Sequence, residues 1–226
     1  MDGASRVRGR LLVGVLIIAA LGGCNPLTAI WYLVGAPEEK FAPEVALTPP
    51  KGKKEAKVVV LISCAPGLSP EFIGIDRMLA SEFNRALSAA VQANKEKVTL
   101  VPTAQVEAYK ADHPNWTAKA PADIGRQFEA DYLIDLEIVG ISLYEDERSR
   151  HLLRGRTVIE VSAYDLTKPN DEPRKSRYET EFPRTGPVDA FDKTTLKFRE
   201  TFIKRVAMDL TWKFTAHEFR DHFPVD

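Results

Sequence analysis

The chain of 226 residues lacks the patterns that mark several large classes of protein. It contains no glycine-rich phosphate-binding loop, no Ser-His-Asp order with a nucleophile elbow, and no paired-cysteine metal motif. It also lacks an excess of charge of one sign, because it has 31 basic and 32 acidic residues. Nucleic-acid binding needs a clustered basic surface. These absences argue against a common hydrolase, a nucleotide-binding enzyme, a zinc protein and a nucleic-acid-binding protein.

The first 24 residues hold the most informative pattern that is present. A basic stretch (Arg6, Arg8 and Arg10) precedes an apolar run (residues 11–20) and then the motif Leu21, Gly22 and Gly23, in which the two glycines are small residues. This order is typical of a secretory signal peptide. The four residues that end in Cys24 resemble the bacterial lipobox. The resemblance implies that residues 1–23 are removed and that Cys24 becomes a first residue carrying more than one acyl chain, such as palmitate.

An uncleaved transmembrane helix is the alternative interpretation, since residues 27–35 are also apolar. A spanning helix needs about 20 apolar residues. Gly22, Gly23 and Pro26 interrupt this one, and proline disfavours a helix at the residue before it. The lipoprotein is therefore favoured. Residues 27–35 then either rest among lipid headgroups, where Trp31 is suited to lie, or pack on the protein itself.

Removal of the signal peptide changes what the mature chain can use for stability. It leaves 28 basic and 31 acidic residues, a net charge of −3. With Cys24 lipidated, only Cys64 remains, so no intramolecular disulfide can form. The fold must rest on a hydrophobic core, which a domain of this size can build.

Residues 24–56 are predicted to link the lipid to the domain. Four prolines punctuate the later part of this segment: Pro37, Pro43, Pro49 and Pro50. As an extended tether, about 20 residues would lift the domain up to roughly 60 Å from the membrane. The alternative is an ordered arm that wraps the domain, with Phe41, Val45 and Leu47 as its anchors.

Residues 57–226 are predicted to form one α/β (α+β) domain, in the order β-α-β-α-α-β-β-β-α. Apolar periodicity places a mixed sheet with helices mainly on one face. Ser69 and Thr103 are expected to cap helices, and Gly140 to mark a β-bulge. Strands are expected at 57–63, 98–101, 131–144, 154–166 and about 178–182, and helices at 70–93, 103–111, 122–129 and 189–217.

Candidate catalytic residues are few, and each has a simpler explanation. Asp135 and Glu137 share one face of a strand, but acid–base catalysis also needs a pocket; surface ion pairs involving Arg156 or Glu160 explain them more simply. His217 and His222 are five residues apart, whereas a zinc protease helix needs a spacing of four. Cys64 is expected to be a buried, inert thiol.

The order of elements resembles that of TolB amino-terminal-like domains, a group that includes lipoproteins of the CsgG and LpoB types. The resemblance is carried by residues 58–62, the helix that follows, 98–101, and above all Ile124-Gly125 with the stretch 130–134. It implies an envelope protein that works through contacts with other proteins. Gly125 and Asp131 would be structural, for close helix approach and for the turn into the strand. The charged loop 145–150 is too short for the membrane-inserting hairpin of a curli pore.

Two functions follow from the sequence. The favoured one is a non-catalytic interaction or accessory module for an envelope protein assembly, held to the membrane by its lipid and facing the periplasm. The alternative is a lipoprotein that binds a small ligand or lipid in a cavity between helix and sheet, with Trp116 or Trp212 in its lining. Neither needs a cofactor, a metal or nucleic acid. Asn25 follows the cysteine where an enteric inner-membrane lipoprotein carries aspartate, which favours the outer membrane.

Overall fold

The computed structural model describes residues 40–146, 148, 150–168, 172–191 and 194–218. Within them the chain forms a six-stranded mixed sheet, a separate two-stranded pair and four α-helices. The strands are β1 (Lys40–Phe41), β2 (Ala56–Cys64), β3 (Val98–Leu100), β4 (Tyr132–Tyr144), β5 (Leu152–Asp165), β6 (Arg174–Phe182), β7 (Val188–Asp189) and β8 (His217–Glu218). The helices are α1 (Ile75–Ala93), α2 (Thr103–Asp112), α3 (Pro121–Gln127) and α4 (Thr195–Thr211), with 3-10 turns at Pro70–Phe72 and Trp116–Ala118. The predicted mixed α/β class is confirmed.

The main sheet has the strand order β3-β2-β4-β5-β6, and the short β7 also pairs with β5. β2 runs parallel to both β3 and β4, whereas β4, β5 and β6 are antiparallel to one another. Residues 58–62 of β2 are all buried. A run of apolar residues without alternation is what a central strand covered on both faces requires.

The two long helices, α1 and α4, cover one face of the sheet. Their apolar stripes meet alternate residues of β2, β4 and β5 in the larger of two hydrophobic clusters. The largest side chains that are fully buried there are Phe83, Phe198, Phe202 and Phe214. Gly155 of β5 lies directly under the Phe202 ring, because a Cβ at this position would lie 2.6 Å from that ring. The absence of a side chain there lets α4 approach the sheet.

The two short helices, α2 and α3, cover only part of the opposite face. Val106 and Ile124 pack there against Val59 and Leu133, in a second and smaller cluster. Gly125 of α3 lies where helix and sheet come closest, since a Cβ would lie 2.5 Å from the Leu166 side chain and 3.0 Å from that of Leu133. This is the close approach that the family resemblance implied.

The predicted hairpin is confirmed as β4 and β5, and the third antiparallel strand as β6. The register between β4 and β5 shifts between Ile138 and Gly140, which confirms the predicted bulge. Thr157 on β5 donates a hydrogen bond of 2.9 Å from its hydroxyl to the Gly140 carbonyl. The bulge therefore has a cross-strand partner of its own.

One predicted helix start and two predicted helix caps are wrong. Gly74 has φ 79°, in the left-handed region, and separates a 3-10 turn from α1, which begins at Ile75 and not at residue 70. Ser69 makes no capping hydrogen bond from its side chain. Thr103 is the first residue of α2 and not its cap; its hydroxyl accepts a hydrogen bond of 2.7 Å from the Asn84 amide.

The last helix is shorter than the predicted 189–217. Val188–Asp189 pairs with β5 as strand β7, and α4 begins only after Thr194, whose hydroxyl accepts a hydrogen bond from the Lys197 amide at 3.4 Å. At the other end, His217 pairs with Phe41 in the β1–β8 ladder. The residues that the prediction wrongly included at each end, 188–189 and 217–218, pair as strands with distant residues, which helical periodicity does not report.

Residues 42–55 lie against the domain as an arm. The Val45 amide donates to the Lys213 carbonyl at 2.9 Å, and Leu47 is buried in the larger cluster. Lys53 contacts the buried carboxylate of Asp131 at 2.6 Å, and the other oxygen of Asp131 accepts from the Lys57 amide at 2.9 Å. Of the two alternatives for this segment, its described part adopts the ordered arm.

Candidate functional site

The predicted lipid-attachment site lies outside the described residues. This holds for Cys24, for the cleavage motif Leu21, Gly22 and Gly23, and for the apolar segment 27–35. They stay predictions from sequence. Among the helices of the described residues, none has the length and apolar character of a bilayer span.

The open face is the part of the sheet that α2 and α3 leave uncovered. It consists of the side chains that β4, β5 and β6 direct away from α1 and α4. Its members alternate along each strand with core residues: Asp135, Glu137 and Val139 on β4, Arg154, Arg156, Val158 and Glu160 on β5, and Lys175, Arg177, Glu179 and Glu181 on β6. Glu160, Arg177, Glu179 and Glu181 on this surface are 43–60% exposed. The predicted half-covered sheet is thus observed, with its solvated part displaced toward β6.

Charges on the open face form a network across three elements. Arg156 and Arg154 both contact Glu145, which follows β4, and Arg154 also contacts Glu181 at 2.7 Å. Arg177 contacts Glu179 at 2.6 Å. A broad depression of about 520 Å³ lies between these groups. The face therefore offers charges of both signs, fixed in position, around a shallow apolar floor.

Asp135 is the most perturbed carboxyl group of the open face. Burial, followed by the nearby charge of Glu137, raises its pKa to about 6, against a lowering by Lys110. Lys110 donates 2.8 Å to the Ile62 carbonyl and contacts Glu107, and its ammonium lies 4.9 Å from the centroid of the Trp116 ring. Asp135 therefore carries a proton more readily than an exposed aspartate, at the border between the covered and open parts of this face.

The expected ion pairs exist, but with other partners. Arg156 contacts Glu145 and Glu181, and Glu160 lies 3.6 Å from Arg177. Glu137 lies directly opposite Glu160 in the β4–β5 register, so two like charges face each other there. Among the described residues, neither Asp135 nor Glu137 has an ion-pair partner. Asp135 lies at the border of the covered part and Glu137 is exposed, and neither residue lines the depression of the open face or the cavity beside Trp212.

Metal and nucleophile chemistry find no support among the described residues. No group of three or more potential ligands comes together there. His217 lies in β8 between the rings of Phe41 and Trp212, at centroid distances of 5.7 and 5.4 Å, and His222 is outside the described residues. Cys64 is exposed, so its predicted burial is wrong. The thiol sits at the end of β2; partial desolvation and Asp76 raise its pKa, which disfavours the reactive thiolate.

A second cavity, of about 380 Å³, lies between the arm, β6 and the end of α4. Trp212 lines it, as the alternative function predicted, whereas Trp116 packs on the smaller cluster. At its base Asp209 contacts Arg205 at 2.9 Å and accepts 3.0 Å from the Tyr178 hydroxyl. Burial, followed by the charge of Asp209, strongly raises the pKa of Tyr178. Sequence reasoning missed this cluster, although the spacing of four between Arg205 and Asp209 was a usable signal.

Comparisons with known proteins find likenesses in structure only. No protein-family model and no curated protein matches the chain. Similar solved structures include a hypothetical protein, CT253 from Chlamydia trachomatis (14% identity, 71% of this chain and 97% of that one, TM-score 0.41). Lipoprotein GNA1162 from Neisseria meningitidis is also among them (14% identity, 69% and 97%, TM-score 0.42). So is the LpoB C-terminal domain from Salmonella enterica (14% identity, 57% and 86%, TM-score 0.31).

The structural neighbours thus include bacterial lipoproteins. Because the TM-scores are below 0.5, these likenesses do not show that this chain shares a family or an activity with those proteins. The resemblance to TolB amino-terminal-like domains remains a prediction from the sequence.

Proposed function

We propose that the protein is a lipid-anchored protein of the bacterial envelope whose domain binds another envelope protein through the open face. The lipobox at Cys24 supports the anchor. The observation that carries the binding role is the uncovered surface of β4, β5 and β6, with its fixed charges of both signs. Asn25 favours the outer membrane with the domain on the periplasmic side.

The physical character of the open face suits a protein partner. Ordered charges on a broad surface select a partner through complementary potential and speed its association. An apolar floor around Ile141 and Val158 adds surface that a partner can bury. The depression of the face is broad and open, which suits contact with the surface of another protein.

The test is a pull-down of the full chain from detergent-solubilised membranes. The variant Arg156→Glu/Glu160→Arg reverses two charges of the open face without changing net charge. The matched control, Asp123→Arg/Arg126→Glu, reverses an exposed ion pair on α3. We expect the wild-type chain and the control to retain a stoichiometric protein partner and the open-face variant to lose it. Equal retention by both variants, or no partner with the wild-type chain, contradicts the proposal.

The anchor has a separate test. Cys24→Ala should leave an uncleaved form, seen as a changed intact mass, or a soluble form, seen as loss from the washed membrane fraction. Cys64→Ala is the matched control, because it removes a thiol that the lipobox does not involve. Unchanged mass and fractionation of Cys24→Ala would refute lipid attachment.

A second candidate function is the binding of a small ligand in the cavity beside Trp212. The cavity joins an aromatic wall to the buried carboxylate of Asp209 and the ammonium of Lys213. Native mass spectrometry of the purified chain should then show a bound species that Trp212→Ala loses. A co-purifying ligand without any protein partner would favour this function over the first.

A further inference from the structure

β6 is the long free edge of the main sheet. Among the described residues it pairs only with β5, and no other backbone group bonds to its outer side. The opposite edge, β3, has only three residues. An edge strand of nine residues presents a row of unpaired amides and carbonyls, which is a template for another strand. Proteins usually protect such an edge with charges that repel a copy of themselves.

The charges of β6 follow an order that does not repel a copy. Lys175 and Arg177 precede Tyr178, and Glu179 and Glu181 follow it at the same distances. All four side chains lie on the open face, because each is opposite an open-face position of β5. The charges of β6 are therefore basic before Tyr178, its central residue, and acidic after it.

We propose that a second copy of this chain pairs with β6 in antiparallel register, about a twofold axis at Tyr178. In this register Arg177 lies opposite Glu179 of the other copy, and Lys175 opposite Glu181. Symmetry doubles each contact, so four pairs of opposite charge lie across the interface between the two strands. Residues directly opposite each other on one face of an antiparallel pair lie close enough to interact.

Neighbouring registers are worse on the same grounds. Moving the axis to residue 177 sets Arg177 against its own copy, and moving it to residue 179 sets Glu179 against its copy. Like charges directly opposite destabilise a strand pair. Only the axis at Tyr178 makes every open-face pair attractive, so the charge order selects the register as well as the partner.

The interacting side chains are accessible in the single chain. Arg177 and Glu179 are 57% and 60% exposed, and Glu181 is 44% exposed. These side chains can form further hydrogen bonds besides their contacts within the chain, because a carboxylate accepts several hydrogen bonds and a guanidinium donates five. Pairing would join two open faces into one surface that extends across both copies. It requires neither the lipid nor an envelope partner, so it stands apart from the proposed function.

The test uses two charge reversals on the full chain in detergent micelles, with self-association followed by sedimentation against concentration. Arg177→Glu alone sets two glutamates opposite each other across the interface, and Glu179→Arg alone sets two arginines opposite each other. Each variant should dimerise at least about tenfold more weakly than the wild-type chain, because two attractive pairs become repulsive. Mixed in equal amounts, the two variants should form a heterodimer, because the glutamates that one variant presents at both positions then face the arginines of the other.

If dimers re-form in the mixture, the weaker dimerisation of each single variant comes from the interface between copies and not from damage within one chain. Each variant loses the internal contact between residues 177 and 179, and mixing does not restore it. Arg126→Glu, with the same change of net charge as Arg177→Glu but on α3, should dimerise as the wild-type chain does. A monomeric wild-type chain, single variants that dimerise unchanged, or a mixture that stays monomeric would each overturn the proposal.

Discussion

The two faces of the main sheet are made by the same strands, but one forms the core and the other forms a charged surface. On the face covered by α1 and α4, alternate residues of β4 and β5 pack against phenylalanines that are fully buried. On the open face, the residues between them are mostly charged and contact one another across strands. Because a strand alternates its side chains, one stretch of sequence carries both a core and a recognition surface. Changes on the covered face should therefore cost stability, and changes on the open face should mainly alter binding.

The largest effect should come from removing a ring of the covered face. Phe202→Ala should lower the free energy of unfolding by about 3–5 kcal/mol, because it deletes a buried ring and leaves a cavity above Gly155. Urea denaturation of the variant measures this loss. Phe191, whose ring is 87% exposed, is the matched control, and Phe191→Ala should change stability by no more than about 0.5 kcal/mol. Similar losses for both variants would contradict the division between faces.

A smaller, pH-dependent effect should come from Asp135, at the border of the open face. Its pKa is about 6 in the folded chain against an ordinary 3.8, so the folded state binds the proton more tightly than the unfolded state. The contribution of Asp135 to stability should therefore rise as pH falls from about 6 to about 4, and the penalty from its charge should be fully present well above pH 6. Asp135→Asn should remove the penalty and stabilise the protein at pH 8 by up to about 3 kcal/mol.

Unfolding measured at pH 4.5 and pH 8 tests this sign. The gain from Asp135→Asn should be larger at pH 8 than at pH 4.5. Glu160→Gln, a neutralisation at a half-exposed position of the same face, should change stability by no more than about 0.5 kcal/mol at either pH. A gain from Asp135→Asn that does not depend on pH would show that desolvation of its charge is not the cause.

The smallest effect should come from the open-face network itself. Arg156→Gln removes contacts with Glu145 and Glu181, but all three side chains are partly exposed, by 34–44%. Solvent screening limits the loss to no more than about 1 kcal/mol, and the loss should shrink further in 1 M salt. Urea denaturation at low and high salt checks both statements. A larger, salt-independent loss would mean that this network belongs to the core.

Local pattern was enough to predict the parts of the fold that depend on neighbours in sequence. The alternation around Leu136 predicted β4, and Gly140 predicted its bulge. The helix ends at Gly74, Thr194 and Thr211 could not be found in this way, since they depend on a backbone conformation or on pairing with distant strands. The same holds for the arm, where Leu47 is buried by residues far along the chain.

The candidate site was predictable to a similar extent. Alternation placed Asp135 and Glu137 together on a partly solvated face of the sheet. It did not reveal the raised pKa of Asp135, because that shift comes mainly from burial in the folded chain. Nor did it reveal that Tyr178 and Asp209 meet, because they come from separate elements. The sequence pattern reports which face a residue occupies, and tertiary packing decides what that residue touches.

The pairing of β1 with β8 bears on the order in which the domain can be built. Glu44 and Lys213, which tie the arm to the end of α4, are 169 residues apart along the chain. Contacts so distant in sequence form late, because the loop between them must first be ordered. A ribosome delivers the arm first and its partners last, so a growing chain holds Lys40–Phe41 without a strand to pair with until residues 217–218 emerge. The arm therefore cannot complete its contacts until residues 213–218 have been synthesised.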